Sequence, residues 1–497
     1  MPSPLAVSLG VVLVATLLAG CHGSDAGSPK QIAVALDERL EFGGAWGCHG
    51  LRPPSCQLTE DGLELQGLVF EGANPIWSVV VLNGTKGPIH LHDAAFHGIP
   101  LGILPGDCPA CGVTLTNVES DSSCTAIIVG PGKAAVLLDG LTAATISYGS
   151  PEASGDDVMC SGPAVSVQEG EGVVDIRRNT LSYQGGNGTT GIHWAYQSGG
   201  RPGSFQGLDI SGYAVGVDGR LARVAIDGMR ITDCSVGLRT MAGTTPSGFP
   251  QESAPDTLHA AHVVVEDCRP EIPVGCAEPI TPEGPHFLWW QCTPVGLLFE
   301  QVAAELTDIT LRNVTVGIDA AFDGDLSLTG FRIEGGLYGL RSHIPYSPGS
   351  ILLRDGVIAN ATFVGAETTT LNLVVDGVTF RDNGRGWPDL SRTDYRVEAL
   401  RDEAYWYGGL VARVDHGWPV PAPLVLMVNN VVHGSQFIGN VPYGLSTPDI
   451  RLIDASGNWW NSVTGPTVRG PLLAPPPATG DAVSDGVQYQ PFLTQPP

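Results

Sequence analysis

Between Leu306 and Leu340 one short pattern is written twice, and a chain that repeats itself in this way has few folds open to it. Ile309, Leu311, Asn313, Val314, Val316 and Gly317-Ile318 are followed by Leu326, Leu328, Gly330, Phe331, Ile333 and Gly339-Leu340. In each copy alternating apolar residues run into a turn residue and then resume, the period-two mark of half-buried strands joined by a tight corner. The same element ends at Gly67, Asp93, Asn117 and Gly140, corners 26, 24 and 23 residues apart. It returns at Gly212, Gly228 and Asp267, and later at Asp355, Gly377, Asn430 and Asp454. Spacing in the twenties is too short for propeller blades of about 40 to 50 residues and fits one coil of a stacked solenoid. Leucine-rich repeats share the length, but their fixed leucine frame is missing. Gly, Asn and Asp suit the corners because they tolerate the left-handed backbone of a sharp change of direction.

Length and composition agree with an elongated array. At 497 residues the chain exceeds an ordinary single core, and 66 Gly with 39 Pro beside 43% hydrophobic residues describe a chain that turns often around a continuous apolar interior. Lys and Arg number 25 against 51 Asp and Glu, a net charge of −26 that repels phosphate backbones and excludes nucleic acid as a partner. The same charge disfavours polyanionic sugars unless a divalent cation mediates.

In its coil pattern the chain resembles the right-handed parallel β-helix repeat proteins of the pectin-lyase-like superfamily. The resemblance is tightest at the C-terminus, in Gly457-Asn458-Trp459-Trp460, Thr464-Gly465-Pro466, Gly480-Asp481 and Tyr489 with Pro491-Phe492-Leu493. Family members usually carry Asn-Trp-Trp-Gly and a late Tyr-x-Pro-Trp-Leu there; Asn461 and Phe492 depart from that. The resemblance implies an all-β fold, a single-stranded right-handed parallel β-helix over 31–456, closed by a cap over 457–497. Trp459-Trp460 is then expected to pack in the cap, where it keeps the last edge from pairing with another chain. Gln31 to Phe42 is the corresponding candidate for an N-terminal cap.

Two long insertions interrupt the pattern. Arg269 to Pro294 holds Cys276, Cys292 and Trp289-Trp290, and Gly384 to Pro423 mixes Trp387, Tyr405, Trp406 and Trp418 with Arg392, Asp402, Asp415 and His416. Loops of this kind in a regular array are where binding residues concentrate, so these four aromatics are the expected contacts for a glycan. They also suit packing back onto the coil exterior.

The N-terminus carries an address. An apolar run from Leu5 to Leu18 ends in Leu18-Ala19-Gly20-Cys21, too short to span a bilayer comfortably. The four residues resemble the lipobox of bacterial lipoproteins, although Met1-Pro2-Ser3-Pro4 lacks the basic residue that normally opens such a signal. The resemblance implies cleavage after residue 20, lipidation of Cys21, a tether over 21–30 and a membrane partner through the lipid. Because His22 rather than Asp follows Cys21, it also implies the outer membrane of a Gram-negative bacterium. A plain secretory signal fits the same run. Ten further cysteines remain, an even number that in an exported chain predicts disulfides. Sequence-local candidates are Cys48 with Cys56, Cys108 with Cys111 or Cys124, and Cys276 with Cys292, while Cys108-Pro109-Ala110-Cys111 lacks the second half of a zinc site.

Candidate chemistry sits one place beyond the Gly-apolar step. The residues there are His193, Asp218, Arg239, Asp319 and Arg341, each following an inward apolar residue and so expected to face outward in one column. Such a column could serve acid–base catalysis in an exterior groove, or be an alternating-sign ladder between stacked coils. The polygalacturonase motifs Asn-Thr-Asp, Asp-Asp and Gly-His-Gly and the pectate-lyase Arg-x-Pro-x-x-Arg are missing, and Asp323-Gly324-Asp325 falls short of a calcium ligand set. No cofactor is therefore expected, Ca2+ being the one weak suggestion. These observations together favour a non-catalytic surface or envelope module, carbohydrate-binding or structural, over a polysaccharide lyase or hydrolase. If Cys21 is the lipidated residue, Cys21→Ala abolishes incorporation of labelled palmitate in a Gram-negative host; undiminished label would sink the anchor.

Overall fold

The computed structural model describes residues 32–36, 39–43, 48, 51–72, 79–108, 110–122, 125–146, 162–184, 190–195, 201–241, 257–268, 294–300, 302–321, 325–343, 349–370, 372–385, 408–413, 429–447, 453–469, 481–484 and 486–497. Within them the strands form two long sheets of 25 and 16 strands. Apart from Cys56–Thr59, the strands pair in parallel with counterparts one coil along, and the chain is a right-handed parallel β-helix. One coil places Ala303–Thr307 and Thr310–Arg312 in the first sheet and Val316–Ala321 in the second. Its successor places Leu326–Thr329, Arg332–Glu334 and Tyr338–His343 at the same levels. Leu306 lies beside Leu328 and Asp319 beside Arg341, so this coil is 22 residues long.

The register corrects the opening pair of copies. Asn313 is level with Gly335, and Gly330 is level with Asp308, because each coil turns two left-handed corners rather than one. Gly67, Asp93, Asn117, Gly140, Gly228, Gly330, Asp355 and Gly377 belong to the first corner; Gly212, Asp267 and Asn313 belong to the second. Asn430 and Asp454 are not corners. Both sit in strands, and the turns fall at Gly434 (φ 57°) and Gly457 (φ 70°). Two corners five residues apart that use the same residue types, as at Asp308 and Asn313, look alike in sequence, which is why one pattern matched both.

Inside, columns of apolar residues run the length of the helix. Leu306, Leu328, Leu353, Val375 and Val432 make one, all essentially buried. Val265, Leu311, Ile333, Ile358, Phe380 and Phe437 make another. Each such side chain is worth roughly 1.5 to 3 kcal/mol of burial. The second column ends in a stack, with Phe380 5.1 Å from Phe437 and Phe437 4.5 Å from Trp460. Trp460 thus closes the interior, and Trp459 continues the ladder beside Gln436. At the other end, Ile32–Leu36 and Arg39–Gly43 pair in register with Leu68–Gly72 and Val79–Asn83, so this segment forms a first coil rather than a cap laid across one. The exposed edge there is covered by Cys56–Thr59, antiparallel to Gly62–Gln66 and tied down by the Cys48–Cys56 disulfide.

The second sheet owes its form to glycine. Gly191, Gly216, Gly237, Gly296, Gly317, Gly339, Gly365, Gly409 and Gly444 stack in one column, and a Cβ on each of the first eight would lie 2.3–2.6 Å from the carbonyl oxygen of the next. The pairing runs Val295 to Val316 and Leu297 to Ile318, passing over the glycines as a bulge does. Parity changes at that point, so Val316 and Leu298, separated by the bulge in their coils, share one apolar cluster on the outer face. Gly317→Ala is expected to cost about 1–3 kcal/mol through this clash, and Leu311→Asp, a bare charge in the core, to abolish cooperative folding. Urea unfolding checks both; an unchanged midpoint in either variant contradicts the register.

Candidate functional site

The bulge decides what the next residues do. One place after the apolar residue that follows each glycine, the pairing aligns His193 with Asp218, Asp218 with Arg239, Arg239 with Leu298, Leu298 with Asp319, Asp319 with Arg341 and Arg341 with Glu367. The five residues expected in one column are brought together in it. Four further members escaped notice: Leu298, which splits the charges into two groups, then Glu367, and beyond it Val411 and Ser446. All follow the same step, in Gly296-Leu297, Gly365-Ala366, Gly409-Leu410 and Gly444-Leu445, and an alignment on glycine alone would have found them.

The column faces away from the core, yet apart from the half-buried His193 and Arg239 its charged members are closed to solvent. Asp218 is 5% exposed, Asp319 2%, Arg341 4% and Glu367 4%. This differs from the expected exterior groove, and the reason is visible in the apolar cluster of Val236, Val295, Leu298, Val316, Tyr338, Phe363, Val364 and Val411 that shares the face. A face carrying so many buried apolar groups is an interior surface in all but position.

In the first of the two groups the charges satisfy one another. Arg239 donates to Asp218 through Nε at 2.6 Å and through Nη2 at 2.8 Å, a bidentate pair, and His193 Nδ1 lies 3.8 Å from the same carboxylate. Beyond Leu298, Arg341 sits with Nε 3.9 Å from Glu367 and its guanidinium 5.4 Å from the centre of the Tyr338 ring. Asp319 Oδ1 is buried without a hydrogen bond, as is Glu300 Oε1 on the outward position two residues beyond Leu298. Burial pushes the Asp319 carboxyl up to about 6; Arg341 opposes that rise, and Glu300 and Glu367 add to it. Glu300 is also raised, first by burial and then by Asp218, against the pull of Arg239. A carboxyl that is neutral near pH 6 in a dry site has the character of a general acid, but only if a substrate reaches it.

Other expected residues fall elsewhere. Cys21, Trp387, Tyr405, Trp406, Trp418, Cys124, Cys276, Cys292, Asp323 and Gly324 lie outside the described residues. Asp325 is engaged structurally, its Oδ1 accepting from Ser350 N at 2.6 Å and Ser350 Oγ at 2.8 Å. No group of three or more metal-ligating side chains occurs among the described residues. Cys48–Cys56 and Cys108–Cys111 are disulfides as the spacing suggested; Cys234–Cys268 is a third, between the second corners of adjoining coils. Arg201 was also missed: buried, it donates to the carbonyls of Gly172, Gly130 and Gln168 and so ties neighbouring coils together.

No family model matches this chain, and no curated protein matches its sequence. Among solved structures it is similar to the periplasmic alginate epimerase AlgG, at 8% identity over 93% of this chain and 85% of that one, with a TM-score of 0.27. It is similar to PfbA, a surface adhesin of Streptococcus pneumoniae, at 14% identity over 70% and 82%, with a TM-score of 0.25. The A-module of the mannuronan C-5 epimerase AlgE6 from Azotobacter vinelandii matches at 10% identity over 93% and 91%, with a TM-score of 0.18. Likenesses this distant carry no argument about chemistry, and the fold rests on the chain's own register.

The raised carboxyl makes stability depend on pH. Between about pH 4 and pH 6 the folded chain keeps a proton on Asp319 that the unfolded chain has released, so stability falls as pH rises through that window. Asp481, which burial raises to about 7, acts in the same direction. Replacing Asp319 by Asn should flatten the fall between pH 4 and pH 7 by on the order of 3 kcal/mol. Urea unfolding at both values measures it, and parallel losses in the two proteins would contradict the buried acid.

Proposed function

We propose that this protein is an exported, lipid-anchored β-helix that acts at the cell envelope as a non-catalytic binding module for carbohydrate. The observation that supports this reading most is the state of the outward column. Asp218 is held by two hydrogen bonds from Arg239, and Arg341 lies between Asp319 and Glu367, so these charges are turned on one another within a buried face. Paired carboxylates that serve as acid and base need an open cleft between them. Export is supported by the signal-like N-terminus and by three disulfides, a chemistry of oxidising compartments. In this reading Cys21 carries the lipid in a Gram-negative outer membrane, residues 21–30 are the tether, and Trp387, Tyr405, Trp406 and Trp418 offer aromatic faces to sugar rings. It requires no cofactor.

A second reading, a polysaccharide lyase or hydrolase, draws on one feature, the Asp319 carboxyl raised to about 6 beside Arg341. One experiment separates the two: the soluble chain from Ser24 onward is applied to a glycan array and incubated with the polysaccharides it retains. The binding-module reading expects retention without chain shortening, and at least tenfold weaker retention after Trp406→Ala with Trp418→Ala. Shortened chains whose production stops in Asp319→Asn would establish the enzyme instead.

A further inference from the structure

The first corner of the coils is a column of residues that all hold positive φ, and its side chains stand on the surface where the sheet turns. Over seven successive coils it runs Asp93, Asn117, Gly140, Arg178, Gly207, Gly228 and His262. Two adjacent coils therefore bring no side chain to the corner, while the coils on either side bring long planar ones, Arg178 and His262. The gap between those walls is about 14 Å at the backbone, three strand spacings. It is a shallow depression of about 530 Å³ whose floor is the backbone of Gly207 and Gly228 and the side chains of Gln206 and Asp227.

The charged groups around this notch are paired with one another. Arg178 donates to both oxygens of Asp139, and Arg177 pairs with Asp175 at 3.1 Å. His262 Nδ1 is 2.7 Å from Asp227 Oδ1, and its Nε2 is 3.4 Å from Asp308 Oδ2. The hydrogen bond to Asp227 raises the imidazole above its ordinary range. Gln206, exposed beside them, brings an amide donor and an acceptor side by side. Ions already neutralised by their neighbours have little to gain from a charged ligand. Planar groups set on neighbouring coils, with the Gln206 amide between them, suit a ring bearing adjacent hydroxyls.

We propose that this notch is a binding subsite for neutral, hydroxyl-rich sugar units, with Gln206, Arg178 and Asp227 as its hydrogen-bonding groups and the His262 ring as a planar wall. The proposal rests on the carbohydrate reading above and moves part of the binding from the inserted loop to the coil itself.

The notch can be filled without disturbing the corner. Asn117 holds the same corner at φ 53°, a Cβ at Gly207 would meet nothing within 4 Å, and one at Gly228 would come no closer than 3.5 Å. Gly207→Asn with Gly228→Asn is therefore expected to melt within a few degrees of the unaltered protein. Binding of neutral gluco-, galacto- and manno-hexasaccharides is measured by calorimetry, with a hexauronate as the charged comparison. The expected result is that a neutral hexasaccharide binds the unaltered chain more tightly than the hexauronate does. It should bind at least tenfold more weakly to the filled variant, and to Gln206→Ala, which leaves the backbone alone should the filled variant fail to fold. Equal binding to all three proteins overturns the notch while leaving carbohydrate binding intact. Tighter binding of the hexauronate overturns the ligand class, and no binding by any hexasaccharide overturns the carbohydrate reading together with the subsite.

Discussion

From Thr190–Trp194 onward, coils of the second sheet lie as close as they do because nine positions have no side chain. At Gly317 a single added carbon would come within 2.3 Å of the Gly339 carbonyl oxygen, and the neighbouring glycines repeat that closeness coil after coil. Much else follows from it. The bulge that glycine permits shifts the parity of the strand, sends Ile318 and Leu340 into the core and turns Asp319 and Arg341 away from it. Without that shift the buried interior would gain the charges, and the outer face would lose the apolar cluster that keeps them dry.

Burial then sets what those charges can do. Arg239 and Asp218 are close enough to compensate each other, and Arg341 lies in register between Asp319 and Glu367. Asp319 answers its dry surroundings by holding its proton up to about pH 6. The surface that remains available is on the other sheet, where the left-handed corners leave the coil exterior uneven. There the same preference for residues that tolerate positive φ has a different outcome: Arg178 and His262 project, and Gly207 and Gly228 do not.

Much of the architecture was legible in particular residues. The alternation in Ile309-Leu311 and Leu326-Leu328, the corner types and the Gly-apolar step all reflect local rules of strands and turns, and the column from His193 to Arg341 could be aligned from them. The first and second corners could not be told apart, because Asn313 and Gly330 satisfy the same backbone requirement at different places in the coil. Nor could Asp319 be known as buried, since its neighbours Glu300 and Glu367 reach it only through stacking.

By itself the sequence determined the period, the residue types at most of the turns and the outward side of the residues that follow the Gly-apolar step, since these depend on backbone geometry within a few residues. Only the tertiary structure decided which corners coincide, that Cys234 meets Cys268, that the outward column is dry, and that two glycines leave a notch between Arg178 and His262. Each of those depends on contacts between coils twenty or more residues apart. Such contacts are set by register, and register is a property of the stack rather than of any one coil.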